Sequence, residues 1–205
     1  MESRNNIFEA RAAISWRSLL CCLLLPAASF LLPPSAPAQP SAAQEYEVKA
    51  GFLVKFTQYT TWPSNTFKSS NTPVVIGMLA TEWWLKRLER EAKGVISSRP
   101  VEVRRVTTVE EAARCQVVFI SEPDTQHEAQ TRNEEEWFKA LKGKPILTVG
   151  ESDRSIERGA VMCFVIKNKT VRFEANLAAS AENHLELSER MLAVASKVYK
   201  RPHTH

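Results

Sequence analysis

CQVVFIS, residues 115–121, decides the fold. Four consecutive apolar positions, Val117-Val118-Phe119-Ile120, leave no polar face, so this strand is buried on both sides, as in a parallel sheet covered by helices. The same logic extends outward in both directions. Upstream, VEEAAR (residues 109–114) reads as a short helix capped by Thr108, and VEVRRV (101–106) as a more polar strand near a sheet edge. Before it, Thr81 can cap a helix running to about residue 92, with Trp84, Leu85 and Leu88 on one face and Gly94 as its stop, and VVIGML (74–79) is another buried strand. Downstream, residues 133–141 read as a helix with acidic residues in its first turn, and residues 145–149 as the next strand. Strands alternating with helices predict an α/β fold: a single-domain three-layer α/β/α sandwich with a mostly parallel central sheet.

Residues 44–60 show helical periodicity through Val48, Phe52 and Phe56, ended by Trp62-Pro63. Residues 161–166 and 170–175 read as two strands joined by a tight turn at Lys167-Asn168-Lys169, an antiparallel hairpin at the sheet edge. Asn176 can cap a helix over residues 177–183, and Ser188 a last one in which Leu187, Met191, Val194 and Val198 form an apolar stripe.

The first 43 residues have the order of a secretory signal: Arg4, Arg11 and Arg17, then the apolar run LLCCLLL (19–25), then PPSAPAQPSAAQ. Cleavage is expected after Ala38 or after Ala43. The apolar run, broken by Pro26, is too short to span a hydrocarbon layer of about 30 Å. No small residue stands just before Cys21, so lipid attachment there is not expected. The expected arrangement is a leader over 1–43, one domain over 44–200 and a frayed tail over 201–205, with the exported chain working in the periplasm.

Hydrophobic residues make up 44% and charged residues 24% of the 205, both ordinary for a globular protein. The formal charge of +4 falls to +3 when the three leader arginines, Glu2 and Glu9 are removed. The basic residues are interspersed, so no nucleic-acid footprint is present. Two cysteines remain beyond the leader, Cys115 and Cys163. In an oxidising compartment they can bond; on non-adjacent strands their Cα atoms exceed the roughly 7 Å limit for a bridge and they stay buried free thiols.

Catalytic signals are absent from the sequence. There is no G-x-S-x-G elbow, no H-E-x-x-H, no C-x-x-C, and the six glycines form no phosphate loop. Both cysteines sit in apolar runs, which raises thiol pKa and suppresses reactivity. His127 and His184 read as surface residues, and His203 and His205 stand on the tail. Glu134-Glu135-Glu136 reads as a solvated first turn. No catalytic residue, metal ligand or cofactor is expected. A ligand crevice, if the fold has one, belongs at the carboxyl ends of the parallel strands, near Thr81, Ser121, Glu122, Gly150 and Glu151. Trp62 and Trp83 are the candidates for a partner surface, although Trp62 with Phe52, Phe56 and Tyr59 also reads as core.

EYEVKAGFLVKFTQYTTWP (45–63) resembles the opening helix of the YfiR family, and VRFEANLAASAENHLELSERMLAVASKV (171–198) its closing strand and helix; CQVVFIS and ILTVGE (146–151) match the family's central strands in order. The resemblance covers nearly the whole chain after the leader. It implies a periplasmic regulator, not an enzyme: a repressor that binds the periplasmic sensory domain of an inner-membrane diguanylate cyclase, lowering cyclic di-GMP and biofilm formation. It further implies release by an OmpA-like outer-membrane lipoprotein, and a capacity to form a homodimer. Gly51 stands where the family usually has Ala, Glu157-Arg158-Gly159 departs from its glycine-rich turn, and two cysteines leave little room for disulfide-linked control. The alternative reading is a periplasmic small-ligand binding module serving a membrane signalling partner, and a third is a hydrolase built on His127 or His184.

Overall fold

The computed structural model describes residues 42–94, 98–122 and 133–200. Residues 1–41 with the Ala38 cleavage site, His127 and the 201–205 tail lie outside the described residues, whereas the alternative cleavage after Ala43 falls just inside them; the described residues all belong to one compact unit. The elements in chain order are α1 (Ala42–Tyr59), β1 (Thr60–Thr61), β2 (Val74–Leu79), α2 (Glu82–Gly94), β3 (Val101–Arg105), α3 (Val109–Ala112), β4 (Val117–Ile120), α4 (Glu134–Leu141), β5 (Leu147–Gly150), β6 (Met162–Lys167), β7 (Thr170–Asn176), α5 (Leu177–Glu182), β8 (Glu186–Leu187), α6 (Glu189–Leu192) and β9 (Lys197–Tyr199).

One sheet carries the fold, in the order β3-β2-β4-β5-β6-β7-β9. Strands β3, β2, β4, β5 and β6 run parallel, β7 returns antiparallel to β6, and β9 runs parallel to β7. The apolar run in β4 splits as its pleat requires. Val117 and Phe119 face the layer of α1 and α2, where Leu53, Phe56, Trp84 and Leu88 are buried. Val118 and Ile120 face the layer of α3 and α4, with Ala112, Phe138 and Leu141. The three-layer sandwich with a mostly parallel sheet is therefore what the sequence predicts. Thr108 accepts a hydrogen bond from the Glu111 N–H, and Asn176 from those of Ala178 and Ala179, so both caps are in place.

The C-terminal end departs from expectation. The helix capped by Ser188 stops at Leu192, Val194 is 56% exposed, and residues 197–199 form β9 instead of a third helical turn. The outer edge of β7 offers backbone groups that need partners, and β-branched Val198 with Tyr199 suits a strand better than an exposed helix end. The hairpin consequently sits one strand in from the rim, with β9 outside it. Its turn is tighter than read: Asn168 (φ 50°) and Lys169 (φ 60°) alone form it, in the left-handed pair that matches strand twist. Val48 also leaves the expected apolar stripe of α1, being 45% exposed, while Lys49 points inward.

Candidate functional site

Lys49 is the anomaly from which the site is built. It lies on the core-facing side of α1 with its side chain only 5% exposed, among Ala50, Leu53 and Val54. A buried ammonium needs charged partners. It has two: Glu45, one helical turn earlier, and Glu151 Oε1 at 2.5 Å, from the segment leaving β5. The second carboxylate oxygen of Glu151 accepts the backbone N–H of Glu122 at 2.8 Å, beyond the end of β4. One carboxylate thus ties α1 to the carboxyl ends of two neighbouring parallel strands. Burial works to lower the Lys49 pKa, but the charges and hydrogen bonds of Glu151 and Glu45 outweigh it and hold the ammonium above its ordinary range. Partial burial, then the neighbouring Glu151 charge, pushes Glu122 above the usual carboxylate range.

These groups line a cleft of about 320 Å³, completed by Asp153 and by residues 164–166 of β6. Four carboxylates surround one ammonium there. A lysine held charged in this way is neither a base nor a nucleophile. Among the described residues no group of three or more His, Cys, Asp or Glu could hold a metal ion.

Of the residues anticipated at the strand ends, Glu122 and Glu151 line the cleft. Gly150 lies behind it for a packing reason: a Cβ there would stand 2.2 Å from Ser155 Oγ. Ser121 fastens β4 to β2, its N–H and its Oγ each donating to the Leu79 carbonyl at 3.2 Å. Thr81 accepts the Leu85 N–H at the start of α2 and stays out of the cleft. Sequence reading missed Lys49, Glu45 and Asp153. The signal for the first two was an i, i+4 Glu–Lys pair on a stripe that otherwise continues through Leu53 and Phe56. Glu134 was missed in the same way. Instead of a solvated first-turn residue it is buried, accepting from Ser155 Oγ at 3.0 Å and pairing with Arg158.

Trp83 is 51% exposed and meets the Tyr46 ring edge-on at 5.3 Å. Trp62 is half-buried against Phe67 and the core. The cysteines do not form the disulfide weighed from sequence. Both are buried free thiols, Cys115 before β4 and Cys163 on β6, with β5 between those strands. Cys163 pairs in register with Gly150, and Gly150 with Ile120, so the two thiols lie near opposite ends of the sheet, about 15 Å or more apart at the usual strand spacings. His184 is exposed at the end of α5.

The YfiR/HmsC-like family model (DUF4154) matches residues 46–196. The chain belongs to the YfiR/HmsC-like family. That match runs from the second turn of α1 to the residue before β9 and takes in every cleft residue but Glu45. YfiR-like proteins are periplasmic regulators of diguanylate cyclase signalling rather than catalysts. A comparison with curated proteins found no match. Among solved structures, the chain is similar to an ABC domain in complex with L-Trp from Streptococcus pneumonia, at 14% identity and a TM-score of 0.48 over 73% of this chain. It is also similar to a conserved domain protein from Vibrio cholerae O1 biovar eltor, at 12% identity and a TM-score of 0.49 over 75% of this chain. It spans 60% of each of those chains. Among the described residues no helix is long and apolar enough to cross a membrane.

Proposed function

We propose that this YfiR-like chain is exported to the periplasm and represses an inner-membrane diguanylate cyclase by binding its periplasmic sensory domain. The family match over residues 46–196 carries this reading. It is supported by the signal-like order of residues 1–43 and by exposed Trp83 beside α1, a side chain suited to contact with another protein. Repression works as a population shift: the bound regulator favours an inactive arrangement of the sensory domain, and sequestration by an OmpA-like outer-membrane lipoprotein releases it. The regulator is further proposed to form a homodimer, as the family resemblance implies. Deleting the gene should raise cellular cyclic di-GMP and biofilm mass, with both restored by the wild-type gene in trans; unchanged levels after deletion would sink the proposal. Export itself is read by the mass of the periplasmic species. Cleavage after Ala38 leaves α1 whole, whereas cleavage after Ala43 removes its first two residues, so a mature chain beginning at Gln39 is expected.

The cleft around Lys49 favours a second reading, a periplasmic small-ligand module, because its volume of about 320 Å³ reaches the lower bound for small-molecule sites. A thermal-shift screen of small cationic metabolites is its test, and no stabilisation at millimolar concentration would dispose of it.

A further inference from the structure

A cavity of about 260 Å³ opens between α4, the segment 156–159 and α5. It lies toward the start of β6, whereas the Lys49 cleft takes residues 164–166 of that strand. Its floor is apolar, made by the buried side chains of Phe138, Ile156 and Ala179. One polar side chain shares that floor: Asn176, only 5% exposed. Its backbone N–H donates to the Val161 carbonyl at 2.8 Å, and its Oδ1 accepts the N–H groups of Ala178 and Ala179 at 3.1 Å each. The cap fixes which way the amide points, because only the oxygen can accept. It also occupies those two helix N–H groups, so Nδ2 is the polar group that Asn176 presents to the cavity. Among the described residues Nδ2 has no hydrogen-bond partner. Neighbouring Asn183 is different: its Oδ1 accepts from Gly143 and its Nδ2 donates to Ile146. A donor set in an apolar floor calls for an acceptor. The charges at the mouth are mostly spent. Glu182 pairs with Lys142 at 3.1 Å, Glu157 with Arg154 at 3.4 Å, and Arg158 with buried Glu134. Lys139 lines the cavity with no ion-pair partner among the described residues.

We propose that this cavity binds a small monocarboxylate with an apolar body. Its carboxylate accepts from Asn176 Nδ2 beside the Lys139 ammonium, and its hydrocarbon part lies on Phe138, Ile156 and Ala179. An apolar lining with a few convergent polar groups is the usual make-up of a small-molecule site. The size is bounded: at about 30 Å³ per water-sized unit, the cavity holds about eight or nine non-hydrogen atoms. The charge is bounded too. Glu135, one turn before Lys139 on α4, lines the same cavity and has no ion-pair partner among the described residues. A dicarboxylate or a phosphate would set its second negative charge against Glu135, and an amine would set its cation against Lys139 and the Asn176 donor. The site is separate from the Lys49 cleft, where four carboxylates surround one ammonium, and it stands apart from the regulatory reading.

The test titrates the purified, ¹⁵N-labelled protein with isocaproate and, separately, with isohexylamine and methylsuccinate as its cationic and doubly anionic counterparts. Isocaproate should shift the side-chain NH₂ signals of Asn176 together with the Gly159 and Ala179 amides, and bind at least about tenfold more tightly than either counterpart. Asn176→Asp keeps the cap, since aspartate caps a helix as well as asparagine does, but puts a carboxylate oxygen where the donor was. It should weaken isocaproate by about tenfold or more. Lys139 is exposed, so Lys139→Gln should keep the melting temperature and weaken isocaproate by about threefold or more. Four outcomes each overturn the proposal: no shift of the Asn176 side chain at about 20 mM isocaproate, equal response to the amine, affinity unchanged in Lys139→Gln and Asn176→Asp, or shifts confined to Glu122, Val165 and Ile166 of the Lys49 cleft. None of these readouts involves a cyclase, so their failure leaves the cyclic di-GMP test of the regulatory reading intact, and failure of that test leaves these standing.

Discussion

Lys49 is worth more as one member of a set than as a single charge. Its removal leaves Glu151, whose side chain is only 6% exposed, without its cation. Lys49→Met should therefore cost about 3–5 kcal/mol in urea unfolding, whereas Lys49→Met with Glu151→Leu should cost clearly less, because no buried charge is stranded. A single variant within about 1 kcal/mol of wild type would contradict the burial. The pH dependence has a definite sign. Lys49 binds its proton more tightly folded than unfolded, so its contribution is whole below about pH 10.5 and disappears as pH climbs through the raised folded value. The alkaline loss of stability should shrink in Lys49→Met. Gly150 obeys a steric rule instead. A Cβ there would stand 2.2 Å from Ser155 Oγ and 2.3 Å from its Cβ, in a place where Ser155 is fully buried. Gly150→Ala should lose about 1–3 kcal/mol in urea unfolding, because the obstructing Ser155 side chain is held in place by its hydrogen bond to buried Glu134.

Where short elements end, local geometry sets the outcome. Helix α5 closes with the Leu185 N–H on the Ser180 carbonyl at 2.9 Å and the His184 N–H on that of Ala181 at 3.0 Å, which puts His184 in the left-handed region at φ 56°. His184→Gly should stabilise the protein by about 1 kcal/mol in thermal unfolding, as glycine adopts that conformation without a Cβ clash. The same contrast explains what the sequence disclosed. The all-apolar runs of β2 and β4, the Thr108 and Asn176 caps and the β6–β7 hairpin were legible because each rests on chemistry within a few residues. Strand β9 was not, because residues 189–198 carry a passable helical stripe, and only the open edge of β7, more than twenty residues upstream, tips them into a strand. Half of the cleft was legible for a related reason: the ends of β4 and β5 mark Glu122 and Glu151, but nothing local says that α1 turns its lysine toward them. Tyr199 shows what fastens β9: its hydroxyl donates to Glu174 Oε2 at 2.8 Å, so Tyr199→Phe should cost about 1 kcal/mol in the same measurement.

The two thiols turn the molecule into its own reporter of cooperativity. Cys115 belongs to the core under α3 and α4, close enough to β2 that a Cβ on Gly77 would lie 2.7 Å from its sulfur. Cys163 lies on β6, where its thiol donates to the Ser152 carbonyl at 3.0 Å. Burial pushes Cys115 up to about 11 and Cys163 up to about 12, so at pH 8 neither offers appreciable thiolate while the fold is closed. They sample opposite ends of one sheet, yet a single seven-stranded sheet with helices on both faces has no seam between them. An aromatic disulfide reagent should therefore label both thiols slowly in native conditions and at once in urea. The native rates of Cys115→Ser and Cys163→Ser should agree with one another and with hydrogen exchange of the β4 amides, because all three require the same global opening. Oxidised and reduced samples should also migrate alike on denaturing gels, since a bond across about 15 Å or more cannot form without that opening. Rapid labelling of one thiol alone would show that its end of the sheet opens independently, and would move the boundary of the cooperative unit to the β5–β6 pairing, where only two registered pairs join the strands.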